Sequence, residues 1–450
     1  MRGGQIGRPV FILSELHSYW TISNAAIYLP KIFSFFTDIQ LFQHYSYMTE
    51  TSTTNDQVTS LPGLGPVNGV QFAGYASITP DNKETDEKLF YWFVGTDDYA
   101  CRPTVIWTNG GPGSSSFWGF FLENGPYKVE SAVGDYPVVT PRPTGWNNFA
   151  NYMIFEHPLS VTLSFANNVD DVPKNPEQGV QEWYNALMNF LALHPEIAYN
   201  PIILAGESYA GTYLPLLAKA ILDGNATAER QLDLKLTVLL DAWVDPIVQM
   251  QADTMYAYTH GLISKAQKQQ LDQTYSGDKL PQINGQISQI CGVYMANIAQ
   301  AGDPPFDPVL LYLNRKDVRA AIHVPNTTLL TDTWSRAVSD NYSSQVNKSY
   351  RHVVQELLDR GQSIQVISGL NDAKDCNFLG TEAWLELLTG PVADAFQATD
   401  PVQWKNDAGR VIGFDQSTPQ LSWLKVLDAG HLAVHDQPLI IQSILKKAGV

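Results

Sequence analysis

Cysteine is scarce in this chain of 450 residues, which contains only Cys101, Cys291 and Cys376. The sequence has no C-x-x-C pair, no Cys/His cluster with zinc-site spacing and no H-E-x-x-H motif. It therefore predicts a protein that uses neither a metal ion nor another cofactor. The odd number of cysteines leaves at least one thiol free or paired with another chain.

Positive charge is scarce as well, since 28 Lys and Arg residues stand against 45 Asp and Glu residues. The formal net charge is −17 and the pI is about 4.8. Such a surface repels nucleic acid and anionic membranes, and it suits an acidic compartment, where many carboxylates become neutral. Hydrophobic residues make up 44 % of the chain, which is typical of a globular protein with one large domain and an insertion, or with two domains.

Long apolar runs are missing too. Near the N-terminus, residues 9–13 and 27–36 are apolar, but both stretches are too short to span a bilayer. Glu15 and His17 interrupt the first stretch, and no clean cleavage site follows it. Residues 1–58 are thus expected to be an unusual leader or a poorly defined extension. Four Asn-x-Ser/Thr sequons give mild support for a secreted glycoprotein, at Asn225, Asn326, Asn341 and Asn347.

From about residue 60, segments typical of strands and helices alternate. Residues 151–159 and 201–206 are apolar runs bounded by turns, and residues 176–196 between them have helical spacing. This alternation predicts an α/β-hydrolase fold with a mostly parallel central sheet and helices on both faces. The rhythm stops after residue 245. We therefore expect four regions, namely the extension 1–58, a first core part 59–245, a helical insertion or cap 246–310, and a second core part 311–450.

A short stretch at the end of one predicted strand resembles a nucleophile elbow. Gly206, Glu207 and Ser208 form the pattern G-x-S between a strand and a helix, with Tyr209 and then Ala210 where the general motif has glycine. Such a turn exposes the serine hydroxyl at the edge of the sheet. Taken alone, the pattern leaves a helix-capping serine equally open.

This fold requires a triad in the order Ser, acid, His, each on a loop after a strand. His431 directly follows the strand-like residues 420–430, whereas His435 is expected to be a surface residue. After the predicted strand 363–369, Asp372 is favoured as the acid, and Asp375 is expected to cap the following helix. Asp372 would then orient His431, and His431 would deprotonate the serine.

An oxyanion hole needs two backbone N–H groups. One is expected from Tyr209, and the other from the glycine-rich loop "WTNGGPGSSS", where Gly110 and Gly111 allow close approach of the backbone. A phosphate loop is the alternative for this stretch, but the Walker pattern and its lysine are missing.

Four motifs in order, "WTNGGPGSSS", "GESYAGTYLP", "GLNDAKDCNFLG" and "DAGHLAVHDQP", resemble those of the serine carboxypeptidases, the carboxypeptidase Y-like family. The resemblance runs from about residue 60 to the C-terminus. It implies a triad, an oxyanion hole and a site for the terminal carboxylate of the substrate. The implied positions are Ser208, Asp372 and His431 for the triad, Gly111 and Tyr209 for the oxyanion hole, and Asn109, Gly110, Glu123 and Glu207 for the carboxylate site.

Two glutamates facing a carboxylate would repel it unless they share a proton, so the resemblance also implies binding that is best at acidic pH. The sequence departs from the family in several places. Ser114 stands where many members have cysteine, Cys376 matches the thiol beside the acid loop, and pairing of Cys101 with Cys291 stays open. In addition, "HPLSVTLSF" replaces P-x-G-V-G-[FY]-S, and "LLDAWVDP" replaces GNG-x-x-DP, so side-chain preference is not transferred from the family.

The leading hypothesis is a secreted or vacuolar serine carboxypeptidase that hydrolyses the C-terminal bond of peptides or proteins through an acyl-enzyme. It would act as a monomer or homodimer, without nucleic acid or a membrane span. A related acyltransferase with the same triad is the first alternative, and the carboxylate-binding residues favour the peptidase over it. A non-catalytic homologue is disfavoured by the complete triad, and a general esterase by the paired glutamates.

Overall fold

The computed structural model describes residues 56–83, 85–131, 137–229, 231–326 and 329–450, so the predicted extension 1–58 lies almost wholly outside the described residues. The described chain is built around a ten-stranded sheet with the order β12-β13-β14-β11-β10-β9-β5-β8-β4-β3, beside two small antiparallel pairs, β1-β2 and β6-β7. The strands are β1 Ser60–Leu61, β2 Gly65–Pro66, β3 Gln71–Ser77, β4 Lys88–Val94, β5 Thr104–Thr108, β6 Tyr127–Ser131, β7 Pro137–Pro141, β8 Asn151–Phe155, β9 Ile202–Ser208, β10 Leu234–Ala242, β11 Ile364–Gly369, β12 Val402–Lys405, β13 Val411–Ser417 and β14 Leu421–Val426.

The six central strands, from β14 to β8, run parallel, and the strands at both edges are antiparallel. The predicted mostly parallel sheet is therefore confirmed. In register, Thr108 of β5 and Leu239 of β10 both pair with Gly206 of β9. Because parallel strands end at the same edge of a sheet, the loops after β5, β9, β11 and β14 emerge on one side of the molecule.

Helices cover the sheet and fill the interval between β10 and β11. Helical chain in that interval continues well beyond residue 310, and the predicted division at 246–310 stays a prediction. No helix within the described residues is long and apolar enough to cross a membrane. The helices are α1 Pro176–Leu193, α2 Ala210–Asn225, α3 Pro246–Met250, α4 Asp253–Thr259, α5 Lys265–Thr274, α6 Ile283–Cys291, α7 Asp307–Leu313, α8 Lys316–Ala321, α9 Arg336–Tyr342, α10 Arg351–Asp359, α11 Phe378–Leu385, α12 Pro391–Gln397, α13 Ala433–Asp436 and α14 Ile440–Ala448.

Strand β9 shows why both faces of the sheet are covered. Ile202 and Leu204 pack into the core that contains α1 and α2, whereas Ile203 and Ala205 pack into the opposite core with α7 and α14. Since successive strand side chains point to opposite faces, an apolar run without alternation requires apolar partners on both sides. This packing fixes β9 in the middle of the sheet and holds its C-terminal end in place.

Candidate active site

The candidate nucleophile is the last residue of β9. Ser208 has a φ angle of 62°, and helix α2 begins two residues later at Ala210. A non-glycine residue at such an angle is strained, and strain of this kind concentrates at functional sites. The N–H of Trp243 donates to the Ser208 carbonyl oxygen at 2.8 Å and holds the turn. The residue preceding α2 is Tyr209, without a side-chain cap, so the alternative of Ser208 as a helix-capping serine is wrong.

The candidate base and acid contact each other directly. His431 Nδ1 lies 2.8 Å from Asp372 Oδ2, and the acid side chain is fully buried. Asp372 Oδ1 accepts a second bond from the Lys374 N–H at 2.8 Å, which fixes the carboxylate. Because the Asp372 carboxylate can only accept a hydrogen bond, His431 Nδ1 must donate. The neutral ring therefore carries its proton on Nδ1, and the lone pair of Nε2 is available. This is the tautomer that a general base requires.

The remaining candidates near these loops have other partners. Asn377, and not Asp375, caps α11, because its side chain accepts from the Gly380 N–H at 3.1 Å; the expected capping role of Asp375 is wrong. His435 lies in the short helix α13 and contacts Asp436 at 3.0 Å.

The glycine-rich loop lies against the elbow. A Cβ atom at Gly110 would lie 2.2 Å from the Tyr209 backbone nitrogen, so only glycine fits there. Gly111 has a φ angle of 109°, which L side chains rarely adopt. The structure thus brings together the two backbone segments that were predicted to supply the oxyanion hole, around Gly111 and Tyr209.

The four residues predicted to bind a carboxylate come from three segments, and three of their side chains form one buried cluster. Asn109 Nδ2 donates to Glu207 Oε1 at 2.8 Å and to Glu123 Oε1 at 3.0 Å. Its Oδ1 accepts from Trp107 Nε1 at 2.9 Å and from the Gly119 N–H at 3.0 Å, which fixes the orientation of the amide. Gly110 follows Asn109 in the chain and contributes its backbone alone.

The two glutamates interact with each other as well as with Asn109. Burial raises the pKa of Glu207 well above its usual range, and the neighbouring Glu123 raises it further. Burial also raises the pKa of Glu123, although hydrogen bonds from Asn109 and Glu207 and the positive charges of His435 and Arg142 oppose this. Neither Oε2 atom has another partner among the described residues. One proton shared between the two carboxyls would satisfy both of them.

A segment that the sequence did not single out clamps the glycine-rich loop. Trp334 Nε1 donates to the Pro112 carbonyl oxygen at 2.9 Å, and the backbone of Trp334 pairs with Ser114. Ser114 stands where many members of the family have a cysteine, and in this chain backbone pairing with Trp334 joins the two segments at that position. All three cysteines are free.

The replaced motif "LLDAWVDP" places a buried acid beside the candidate triad. Asp241 Oδ1 accepts from the Gly369 N–H at 2.8 Å, and Asp241 is fully buried. Burial, together with the charge of Asp372, raises the pKa of Asp241 well above its usual range. The departure of "LLDAWVDP" from the family pattern was the only signal in the sequence that pointed to Asp241, and it did not reveal the contacts of this side chain.

The chain is similar to known serine carboxypeptidases. The serine carboxypeptidase family model matches residues 62–303 and 299–448. Serine carboxypeptidase-like 50 of Arabidopsis thaliana is 27 % identical over 384 residues, covering 81 % of this chain and 84 % of the relative. Pheromone-processing carboxypeptidase KEX1 of Pyricularia oryzae is 29 % identical over 427 residues, covering 85 % of this chain and 66 % of the relative, so the chain spans about two thirds of that protein.

Among solved structures, the prohormone-processing carboxypeptidase KEX1(delta)P of Saccharomyces cerevisiae superimposes with a TM-score of 0.76. The match covers 88 % of this chain and 95 % of that structure at 22 % sequence identity, which shows a shared fold. The predicted α/β-hydrolase fold is thereby confirmed. With a family model that matches nearly the whole described chain, the protein belongs to the serine carboxypeptidase family.

Proposed function

We propose that the protein is a serine-type carboxypeptidase that removes the C-terminal residue of peptides through an acyl-enzyme. Ser208 is the nucleophile, His431 the general base and Asp372 the residue that orients it. The observation that carries this proposal is the 2.8 Å contact of His431 Nδ1 with Asp372 Oδ2, at the same sheet edge as the strained serine. The retained carboxylate cluster favours hydrolysis of peptides over acyl transfer to a small acceptor.

In the first step, Ser208 Oγ attacks the last peptide carbonyl and its proton passes to His431 Nε2. The backbone N–H groups of Gly111 and Tyr209 stabilise the negative charge that develops on the carbonyl oxygen. The imidazolium then gives its proton to the nitrogen of the departing C-terminal residue. Water deprotonated by the same imidazole hydrolyses the ester, which restores the free serine.

The cluster of Asn109, Glu123 and Glu207 selects peptides with a free C-terminus. Asn109 Nδ2 exchanges one of its two bonds to the glutamates for a bond to the terminal carboxylate, a protonated glutamate donates to the same carboxylate, and the proton on the glutamates removes the repulsion. The raised pKa values mean that this proton is present at acidic pH and is lost as pH rises. Binding of the free acid is therefore strongest at acidic pH.

This function is tested by measuring release of the C-terminal residue from a blocked dipeptide and from its C-terminal amide between pH 4 and pH 8. We expect cleavage of the free acid at low pH, weaker cleavage as pH rises, and none by Ser208→Ala. If the wild-type protein releases nothing from either compound but still acylates on Ser208 with an activated ester, the peptidase proposal fails and acyl transfer becomes the function to test.

For the compartment, we propose the secretory route, which the name of a relative supports: the venom serine carboxypeptidase of Apis mellifera is 28 % identical over 393 residues.

The four sequons are not equivalent as glycosylation sites. The amide nitrogens of Asn225 and Asn341 donate to backbone carbonyls, at 2.8 and 3.1 Å respectively, so a glycan would have to replace a hydrogen on a nitrogen that is already held against the protein. Asn326 and Asn347 are thus the preferred sites. Loss of an endoglycosidase-sensitive mass shift in Asn326→Gln/Asn347→Gln tests this; an unchanged shift contradicts it.

A further inference from the structure

The loop that carries His431 is held by a carboxylate outside the proposed triad. Asp436 Oδ2 accepts from the Gly430 N–H at 2.9 Å, directly before His431, and from Asn297 Nδ2 at 2.9 Å. The Asp436 side chain is only 6 % exposed. A buried carboxylate that accepts from neighbouring backbone makes strong, charge-assisted hydrogen bonds, and these fix the position of the donors.

The other carboxylate oxygen of Asp436 also accepts two hydrogen bonds. Its Oδ1 accepts from Gln300 Nε2 at 2.9 Å and from His435 Nδ1 at 3.0 Å. Burial alone would raise the pKa of Asp436, but the bonds from His435, Gly430 and Gln300 lower it below its usual value. The carboxylate is therefore ionised throughout the pH range in which the enzyme is expected to work.

Asn297 ties this carboxylate to the chain between β10 and β11, and the neighbouring backbone contacts both candidate catalytic loops. The His431 N–H donates to the Ala296 carbonyl oxygen at 2.6 Å. The Ala373 N–H, next to Asp372, donates to the Met295 carbonyl oxygen at 2.8 Å. One short segment thus contacts the loop of the base and the loop of the acid.

Close packing leaves little freedom at this junction. A Cβ atom at Gly430 would lie 2.3 Å from the Ala296 carbonyl oxygen and 2.5 Å from Asn297 Cβ. Gly430 is therefore held between Asn297 on one side and Asp436 on the other, and the next peptide, between Gly430 and His431, is held by the Ala296 carbonyl oxygen. Removing the bond between these two side chains would let the base loop shift while the acid loop stays in place.

We propose that Asn297 and Asp436 form a positioning pair for His431. Asp436 fixes the Gly430 N–H, Asn297 fixes Asp436, and the imidazole is thereby kept 2.8 Å from Asp372 Oδ2. Displacement of a catalytic group by about 1 Å can lower the rate by about 100-fold. This inference rests on the proposed function, since the pair acts through the base of the triad.

The first test is Asn297→Ala, assayed on the blocked dipeptide. We expect kcat to fall by about 10- to 100-fold with KM within twofold of wild type, because the base moves and the substrate site does not. Gln300→Ala is the matched control, since Gln300 donates to the same carboxylate at the same distance but from an exposed position, and its kcat should stay within twofold. Each kcat is calculated from the concentration of active sites, which is measured by titrating the serine to completion with a fluorophosphonate. Misfolded molecules therefore do not affect the comparison.

The second test is Asn297→Asp, which opposes two carboxyls of nearly the same shape as the original pair. At pH 5 the new carboxyl can carry a proton and donate to Asp436, whereas at pH 7.5 the two carboxylates repel each other. The kcat of Asn297→Asp relative to wild type should therefore fall by about tenfold between these pH values, and the ratio for Asn297→Ala should stay constant. The other titratable groups that interact with Asp436, His435 and Asp241, are the same in every variant.

A kcat of Asn297→Ala within twofold of wild type, or a pH-independent ratio for Asn297→Asp, would overturn the positioning role while wild-type hydrolysis leaves the proposed function intact. Absence of hydrolysis that depends on Ser208 in the wild-type protein would instead refute the proposed function.

Discussion

Replacing Glu207 by glutamine separates the charge of the carboxylate cluster from its shape. The side-chain amide of the Glu207→Gln variant keeps a hydrogen-bond donor towards Glu123 and a carbonyl oxygen towards Asn109, but it cannot ionise. In the wild-type protein, the proton shared by the two glutamates is lost as pH rises through their raised pKa values, and the substrate carboxylate then meets a second negative charge. In Glu207→Gln that second charge cannot appear.

The size of the effect follows from the burial of the cluster. Two unit charges about 4 Å apart interact by about 4 kcal/mol at an effective dielectric constant of about 20, and by about 1 kcal/mol in water. Glu123 and Glu207 are 2 % and 5 % exposed, so the cost lies between these limits. A penalty of about 1.5–3 kcal/mol corresponds to a rise in wild-type KM of about 10- to 100-fold between acidic and neutral pH. Glu207→Gln should show a rise of less than threefold.

The assay is KM for the blocked dipeptide from pH 4.5 to pH 8, beside its C-terminal amide, which carries no charge and should show no such rise. Glu182→Gln is the matched control, because Glu182 is a mostly buried carboxyl outside the cluster with its pKa raised to about 7. If Glu207→Gln retains the wild-type dependence of KM on pH, the shared proton does not control substrate binding and the reasoning is refuted.

Two further predictions concern stability. The pKa of Asp241 is higher in the folded than in the unfolded protein, so the wild-type protein loses stability as pH rises above the unfolded pKa. Asp241→Asn should therefore raise Tm by a few degrees at pH 7 and leave it unchanged near pH 3. Differential scanning calorimetry that shows no gain in Tm at pH 7 would contradict this. Ser114 and Trp334 pair in antiparallel fashion at a position without direct hydrogen bonds between them, where Cα atoms lie about 4.5 Å apart, within the range of a disulfide. Ser114→Cys/Trp334→Cys should therefore form a disulfide, and the oxidised variant should be about 2–4 kcal/mol more stable than the same variant with its thiols reduced. Thiol titration that finds both new thiols free would refute the pairing.

The elbow, the acid and the base could be predicted from the sequence because each depends on a local pattern. Ser208 follows an apolar run and precedes a helix, and His431 and Asp372 each follow a strand. The parallel sheet brings these three loops to one edge, which is why a position directly after a strand, in the order Ser, acid, His, was sufficient to choose these candidates. The family motifs added the carboxylate cluster, whose chemistry is not visible from spacing.

The supports of the site could not be predicted in this way, because they join segments that are distant in the chain. Asn297 and Asp436 are 139 residues apart, and Trp334 and Pro112 are 222 residues apart. Asn297 lies in no pattern that indicates chemistry, and the motif "DAGHLAVHDQP", which contains Asp436, was used only to assign His431. His435 was expected to be a surface residue. Its ring contacts Asp436 as well as solvent, because α13 places both side chains beside the loop that carries His431.

The central claim is that Ser208 is activated by His431, and reaction with a fluorophosphonate tests it most directly. Intact mass spectrometry and peptide mapping should find one adduct per chain, on Ser208, formed at least about 1,000-fold more slowly in His431→Ala. An adduct on another residue, or a rate unaffected by His431→Ala, would contradict the account.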